Sequence, residues 1–223
     1  MLHRKAVSAL FLAALSGAAS SASAGVIATW TFETSIPVTA GPHAAEVGLG
    51  SALGGTGGTY TSPAGNGSAH SFSSNGWDVG DFYQYSVAAD PTESEYHINW
   101  DQTGSGTGPR DFKLQYSADG GAFTDIVPSY VVLLNGTPPP AWNSTTSNPA
   151  NSYTATLTGI TGVSSLVFRF IDTSATSISG GAVGTGGTDR MDNVSIISGP
   201  VPEPASLALL SAPALLLRRR KTA

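Results

Sequence analysis

Short runs in which apolar and polar residues alternate dominate the chain between residues 25 and 199. From Phe112 to Tyr116 every second residue is apolar, so one face of a strand would meet a core and the other would meet water. One wet face is typical of antiparallel sheets. Nine such segments predict strands at residues 26–33, 82–88, 95–100, 112–117, 123–127, 130–134, 152–158, 166–171 and 191–197.

Segments rich in glycine and polar residues separate the predicted strands. Asp119, Gly120 and Gly121 lie between two alternating runs and supply the positive φ angles that a tight hairpin needs. No regular internal repeat is visible, which argues against a propeller or a solenoid. These features predict an all-β fold, an antiparallel β-sandwich of jelly-roll type. Irregular loops are predicted at residues 48–67, 104–109, 137–150 and 180–187.

The first 24 residues have the three parts of a secretory signal peptide. A basic stretch around Arg4 precedes an apolar run at residues 6–15, and Ala22 and Ala24 form a small-residue cleavage site. A buried N-terminal helix is disfavoured because the segment has no polar face. We therefore expect a signal helix that is removed after Ala24.

Residues 200–223 combine three segments in a fixed order. Prolines on both sides of Glu203 make the first segment extended. The apolar run 205–217 is interrupted by Pro213 and is shorter than the roughly 20 residues that a membrane-spanning helix needs. A short apolar helix, held with its basic end on the cytoplasmic side, is expected. The two flanking motifs are Val201, Pro202, Glu203 and Pro204, then Arg218, Arg219, Arg220 and Lys221.

This order of motifs resembles the PEP-CTERM sorting signal of exopolysaccharide-producing Gram-negative bacteria. The resemblance implies that an exosortase, a membrane cysteine transpeptidase, recognises the tail after export by the general secretion machinery. It also implies a transient association with the inner membrane, followed by secretion or display at the cell surface. An ordinary C-terminal membrane anchor is the alternative interpretation.

The central residues 25–199 have the length of one domain. From Gly25 to Pro204, four basic side chains stand against fifteen acidic ones, a net charge of −11. Such a field repels phosphates and excludes nucleic acid as a partner. The chain has no cysteine, so an exported domain must rely on its core or on a metal instead of disulfides.

The segments 30–33 and 190–196 resemble the first and last strands of galactose-binding-like and carbohydrate-binding jelly rolls. In several carbohydrate-binding families these two places carry carboxylates that hold a structural calcium ion. The resemblance therefore implies Ca²⁺ with Glu33 and Asp192 as ligands, backbone carbonyls completing the six to eight oxygens. The alternative is that Glu33 is solvated at a strand end and Asp192 caps a turn.

Exposed aromatic rings would suit a glycan, because the apolar faces of sugar rings stack on them. Trp30 and Trp100 lie in strand patterns and are predicted to belong to the core. Ordinary packing is the alternative for the remaining candidates. The predicted ligand-binding rings, in loops or at strand edges, are Trp77, Trp142 and Tyr83, together with Tyr60.

Catalytic signatures are weak in this sequence. No histidines occur at metal-ligand spacing, and neither a G-x-S-x-G elbow nor an H-E-x-x-H helix is present. Asp78 and Asp81, beside Trp77, form the best carboxylate pair for a glycosidase, although fifteen carboxylates produce such a pair by chance. The sequence thus predicts a non-enzymatic surface or matrix protein associated with exopolysaccharide. A lectin-like carbohydrate-binding module is the alternative, and a glycoside hydrolase is less favoured.

Overall fold

The computed structural model describes residues 25–136 and 140–199. The signal and sorting segments predicted at residues 1–24 and 200–223 lie outside the described residues. In the described ranges the only helical element is one turn of 3₁₀ helix at Pro149–Asn151. None of the helical structure described there is long and apolar enough to cross a membrane.

Fourteen strands in these ranges form two sheets that pack face to face. The first and last described strands pair with each other, and the strand Glu95–Gly104 lies on the other side of the last one. The eight-stranded sheet is built on β1 (Gly25–Trp30), β8 (Glu95–Gly104) and β14 (Asp189–Ser198). Its edges are extended by β3 (Val47–Gly48), β5 (Tyr60–Thr61), β6 (Phe72–Ser74), β11 (Leu133–Leu134) and β12 (Ser152–Thr158).

The second sheet has six strands, and all of them are paired antiparallel. Because most connections carry the chain from one sheet to the other, the predicted jelly-roll sandwich is confirmed. In their order across the sheet, the six strands are β10 (Thr124–Val131), β9 (Asp111–Ala118), β13 (Ser165–Asp172), β7 (Phe82–Ala88), β4 (Gly50–Gly54) and β2 (His43–Ala44).

Aromatic side chains from both sheets meet in the core. The ring centroids of Trp30 and Tyr85 are 5.0 Å apart with an edge-to-face angle of 70°. Those of Trp100 and Phe170 are 4.9 Å apart. Such pairs add about 0.5–1.5 kcal/mol beyond the burial of their area. The prediction that Trp30 and Trp100 belong to the core is therefore confirmed.

Three predicted segments differ from the observed elements for a local structural reason. The first strand ends at Trp30 rather than residue 33, because Phe32 has a φ of 59° that an extended strand does not allow. The segment 123–127 and the start of the segment 130–134 form one edge strand, β10, which ends at Val131. Leu133 and Leu134 then form β11, which pairs with β8 in the other sheet. Register shifts on either side of Val127 accommodate Pro128, which cannot donate to a ladder.

The glycine-rich stretch 48–67 contains β4 and β5, where a loop was predicted. Its glycines make room for aromatic rings instead of breaking the sheet. A Cβ at Gly50 would lie 2.7 Å from the Trp30 ring, and one at Gly54 would lie 2.2 Å from the Tyr60 ring. The strand pattern is hidden because rings of other strands, Trp30 of β1 and Tyr60 of β5, fill these positions instead of side chains of β4 itself.

Candidate functional site

Outward side chains of the six-stranded sheet form a polar row across its centre. Gln84 on β7, Arg169 on β13 and Gln115 on β9 are direct neighbours in register, and Asp125 on β10 pairs with Gln115. Adjacent strands lie about 4.8 Å apart, so the row of four spans about 15 Å. A row of this length offers hydrogen-bonding groups to an extended ligand.

The guanidinium group of Arg169 is clamped between two phenylalanine rings. Its Cζ atom lies 4.3 Å from the ring centroid of Phe82 and 4.3 Å from that of Phe123. Its Nε donates to Gln84 Oε1 at 2.7 Å. Cation–π contacts on both faces and this hydrogen bond together fix the plane of the guanidinium. We call Phe82, Gln84, Gln115, Phe123 and Arg169, all half-buried, the Arg169 face.

Local backbone features position the rings of Phe82 and Phe123 beside Arg169. A Cβ at Gly55 would come within 2.5 Å of the Phe82 ring, so only glycine lets that ring lie where it does. Phe123 follows the predicted hairpin, which is confirmed: Asp119 and Gly120 have φ angles of 49° and 74°. Gly121 N donates to Ala118 O at 2.9 Å and closes the turn. The hairpin thereby returns Phe123 over the sheet to Arg169.

A groove of about 440 Å³ continues the Arg169 face toward one end of the strands. Lys113 and Ile171, which pair in register, form part of its floor. Lys113 Nζ lies 3.4 Å from Asp125 Oδ1. Burial, reinforced by neighbouring carboxylates, raises the pKa of Asp172 at the end of the groove to about 6. The groove therefore has one outward cation, Lys113, and one carboxyl group, Asp172, that loses its proton at a higher pH than usual.

The aromatic rings predicted to bind a ligand are packed inside the protein, which corrects that prediction. Trp142 Nε1 donates to Asn151 Oδ1 at 3.1 Å, in the interior. A ring enclosed on both faces cannot stack on a sugar, so these side chains support the fold instead. The exposed fractions are 4 % for Trp77, 6 % for Trp142, 8 % for Tyr60 and 0 % for Tyr83.

Glu33 and Asp192 hold the same loop, residues 62–70. Glu33 is exposed, and its Oε1 accepts a hydrogen bond from His70 N at 2.8 Å. Asp192 is buried, and its Oδ2 accepts from Asn66 N at 2.8 Å and Ser68 Oγ at 2.6 Å. Burial raises the pKa of Asp192 to about 7. Its Oδ1 has no hydrogen-bond partner among the described residues.

Asp101, which the sequence reasoning missed, lies directly opposite Asp192 in the ladder. Its Oδ2 accepts from Asn66 Nδ2 at 2.9 Å and from Asn193 Nδ2 at 2.8 Å. These donors compensate a second carboxylate beneath the loop. In the described part of the chain no three His, Asp or Glu side chains come together as a metal site. A cation here would depend on Asp192 Oδ1, Glu33 and backbone oxygens.

The carboxylate pair Asp78 and Asp81 closes a turn. Asp81 Oδ2 accepts from Asp78 N at 2.8 Å, and Asp81 N donates back to Asp78 O at 2.9 Å. The pKa of Asp81 is raised by burial and, less, by the charge of Asp78. The neighbouring Trp77 ring faces the core, so the sugar-binding ring that a glycosidase would place beside this pair is not available there.

The comparisons with known proteins concern overall shape. No protein-family model and no curated protein matches this chain. The xylan-binding CBM22-1 domain of Paenibacillus barcinonensis Xyn10C is 13% identical, with a TM-score of 0.48, over 80% of this chain and 97% of that domain. The K1 cleaved adhesin domain of Lys-gingipain from Porphyromonas gingivalis W83 is 14% identical, with a TM-score of 0.47, over 77% and 98%.

A third similar structure is TmCBM61 in complex with β-1,4-galactotriose. It is 12% identical, with a TM-score of 0.39, over 76% of this chain and 94% of that one. At these identities and TM-scores no ligand and no residue role is carried over to this chain.

Proposed function

We propose that this protein is a non-catalytic carbohydrate-binding module that holds a glycan on the Arg169 face. The observation that carries the proposal is the clamped guanidinium between Phe82 and Phe123, set in a row of outward amides. Sugars combine apolar C–H faces with many hydroxyl groups. A site for them needs ring surface beside fixed donors and acceptors, which this face supplies.

The two rings have different parts in this proposal. Phe82 is closed by Arg169 on one side and by Gly55 on the other, so it braces the arginine. Phe123 meets Arg169, and no second aromatic ring stacks on it within residues 25–136 and 140–199. Phe123 is therefore the ring that would stack on a sugar, while Gln84 and Gln115 would bond to its hydroxyl groups.

A glycan array followed by calorimetric titration of the bound glycan tests this proposal. Removing the stacking ring in Phe123→Ala should weaken binding by about ten-fold or more, because aromatic anchors dominate such interfaces. Thr156→Ala, on the outer face of the other sheet, is the matched control and should bind normally. Undiminished binding by Phe123→Ala and Gln84→Ala, or no glycan bound at all, would refute the assignment.

We also propose that the protein is exported and sorted to the cell surface or extracellular matrix. The support is the order of motifs in the sequence: the cleavage site at Ala22 and Ala24, then Pro202-Glu203-Pro204 and the basic cluster from Arg218. The partners would be the secretion machinery, an exosortase and the exopolysaccharide itself. Mass spectrometry of the native protein should show Gly25 as the first residue and a C-terminus near Pro204. An intact tail ending at Ala223 would contradict the sorting proposal.

A structural calcium ion is a third proposal. Asp192 Oδ1 is a buried carboxylate oxygen without a hydrogen-bond partner among the described residues, which is the chemistry a cation would satisfy. Glu33 and Asp192 would hold the ion, and its charge would tie the loop 62–70 to the sheet. Melting that is unchanged by calcium or EDTA, in the protein and in Glu33→Gln, would count against it.

A further inference from the structure

Two of the four cationic side chains in the described residues point outward from the six-stranded sheet. Arg110 is paired with Asp111, through Nε at 2.9 Å and Nη2 at 3.0 Å. Arg190 is largely buried. The other two, Lys113 and Arg169, are diagonal neighbours on adjacent strands about 7–8 Å apart, and Lys113 lies 3.4 Å from Asp125. Both outward cations thus lie on one face, and Arg169 is the one without a carboxylate beside it in the described part of the chain.

Arg169 has no acidic partner within residues 25–136 and 140–199. Its Nε is bonded to Gln84, and neither Nη group takes part in a hydrogen bond or ion pair within residues 25–136 and 140–199. Fourteen acidic side chains in residues 25–199 give this domain a net charge of −10. Despite that excess of carboxylates, the central arginine of the face keeps both terminal nitrogens free.

The geometry of this arginine suits one kind of group. A guanidinium fork matches a carboxylate in a bidentate arrangement, and such pairs are among the stronger hydrogen-bonded contacts. Phe82 and Phe123 already hold its plane, so little side-chain freedom remains to be lost when a ligand binds. The charges of Lys113 and Asp125, which lie 3.4 Å apart, offset each other, so the positive charge that remains on this part of the sheet is that of Arg169.

We propose that the glycan bound on the Arg169 face is acidic: a polysaccharide with uronate residues, one of whose carboxylates is held by the Nη groups of Arg169. The inference rests on the proposed glycan-binding function and names its substrate class. The neighbouring amides and Phe123 would bind the hydroxyl groups and the ring of the same or the adjacent sugar. Distant acidic residues of the domain oppose a polyanion only weakly at about 0.15 M salt, where the screening length is about 8 Å.

The test compares polymers that differ only in the carboxylate. Polygalacturonate and alginate are titrated into the purified protein by calorimetry, each beside its carboxyl-reduced form, in calcium-free buffer at about 0.15 M salt. The uronate forms should bind about ten-fold to a hundred-fold more tightly, as expected for hydrogen bonds to a charged group. Dextran sulfate is the control for non-specific attraction to a polyanion.

Variants show which side chain causes the preference for the uronate form. Arg169→Gln should abolish the preference for the uronate form, and Arg169→Lys, which keeps the charge but not the fork, should retain only part of it. Arg110→Gln removes a cation that is already paired with Asp111 and should bind as the parent does. Thermal melting of each variant checks its fold. If Arg169→Gln does not fold, the paired polymers still decide the question on the parent protein.

The outcomes separate the inference from the function it rests on. Equal binding of the uronate and carboxyl-reduced polymers, or tighter binding of neutral xylan or galactan, overturns the acidic-glycan assignment and leaves the glycan-binding face in place. Dextran sulfate binding as tightly as the uronates overturns it too. No binding to any polymer in the neutral and acidic panel overturns both.

Discussion

Raising the pH from about 5 to about 8 should destabilise this protein, and Asp192 is the buried carboxyl group from which the size of the effect can be worked out. The side chain is buried, and this burial raises its pKa to about 7 against the opposing effect of the Ser68 and Asn66 hydrogen bonds. In the unfolded chain its pKa is about 3.9. Between these two values the folded state keeps a proton that the unfolded state has lost. The stability linked to that proton is complete in acid and disappears as the pH rises to about 7.

The loss of unfolding free energy depends on how much of the interval between the two pKa values of Asp192 the pH change covers. Two pH units at 1.36 kcal/mol each correspond to about 3 kcal/mol of unfolding free energy for Asp192. Asp172, whose pKa is raised to about 6 chiefly by burial, acts in the same direction over a narrower range. The fully buried Asp189 has a pKa raised well above its usual value and adds to the same trend. Most proteins lose stability in mild acid, whereas this one should gain it.

Urea unfolding in EDTA, followed at about pH 5, 6, 7 and 8, measures the effect directly. The parent protein should lose stability steadily across this series. Asp192→Asn removes one titrating group while keeping an oxygen for Asn66 and Ser68. Its stability should therefore fall by about 3 kcal/mol less than the parent's over this series, while Asp172 and Asp189 still contribute. A parent whose stability stays constant or rises from acid to neutral pH would refute the reasoning. An Asp192→Asn slope equal to the parent's would place its cause elsewhere.

The same urea-unfolding experiment, with calcium added, also tests the calcium proposal. A cation on Asp192 and Glu33 would compete with the proton, because the carboxylate must be ionised to bind it. Added calcium should then restore the stability of the parent at about pH 8 and leave Asp192→Asn unchanged. If calcium does not shift the parent's transition, the calcium proposal fails while the pH prediction stands.

Three further predictions concern packing. Gly55→Ala should push the Phe82 ring aside and weaken glycan binding in titrations, whereas Gly57→Ala, where nothing lies within 4 Å of the new methyl, should not. Phe170→Ala, at a fully buried core position, should cost about 3–5 kcal/mol in urea unfolding; a loss below that of an ordinary surface change would contradict its place in the core. Trp142→Phe should lower the melting temperature and leave glycan affinity intact, and a loss of affinity would reopen its role as a ligand-binding ring.

Alternation along the chain predicted the strands that bury one face and expose the other. The segments 82–88 and 152–158 have their observed bounds, and every other predicted segment contains or overlaps a strand. The short strands of the stretch 48–67 carry no such alternation. In β4, Gly50 admits the ring of Trp30 and Gly54 admits the ring of Tyr60. Both contacts depend on how the strands are brought together, and the local pattern does not contain them.

The site was harder to predict for a similar reason. Alternation alone places Arg169 outward, because it stands between the buried Phe168 and Phe170. What the sequence does not contain is the register that brings Phe82 and the hairpin residue Phe123 to either side of it. The rings of Trp77 and Trp142 have the right chemistry for sugars, but their loops fold them into the interior.

The two outer faces of the sandwich differ in what they leave available to a ligand. On the eight-stranded sheet the polar side chains satisfy one another: Thr154 Oγ1 donates to Asn99 Oδ1 at 2.9 Å, and Asn99 Nδ2 donates to Ser195 Oγ at 3.3 Å. A ligand in the groove of about 310 Å³ there would have to replace bonds that already exist, which gives little net free energy. On the six-stranded sheet the amides are engaged too: Gln115 Nε2 donates to Asp125 Oδ1 at 2.6 Å, and Gln84 Oε1 accepts from Arg169 Nε. Among the described residues, however, both Nη groups of Arg169 have no partner, and the plane of the guanidinium is fixed. This difference between the two faces is the reason we propose binding on the Arg169 face.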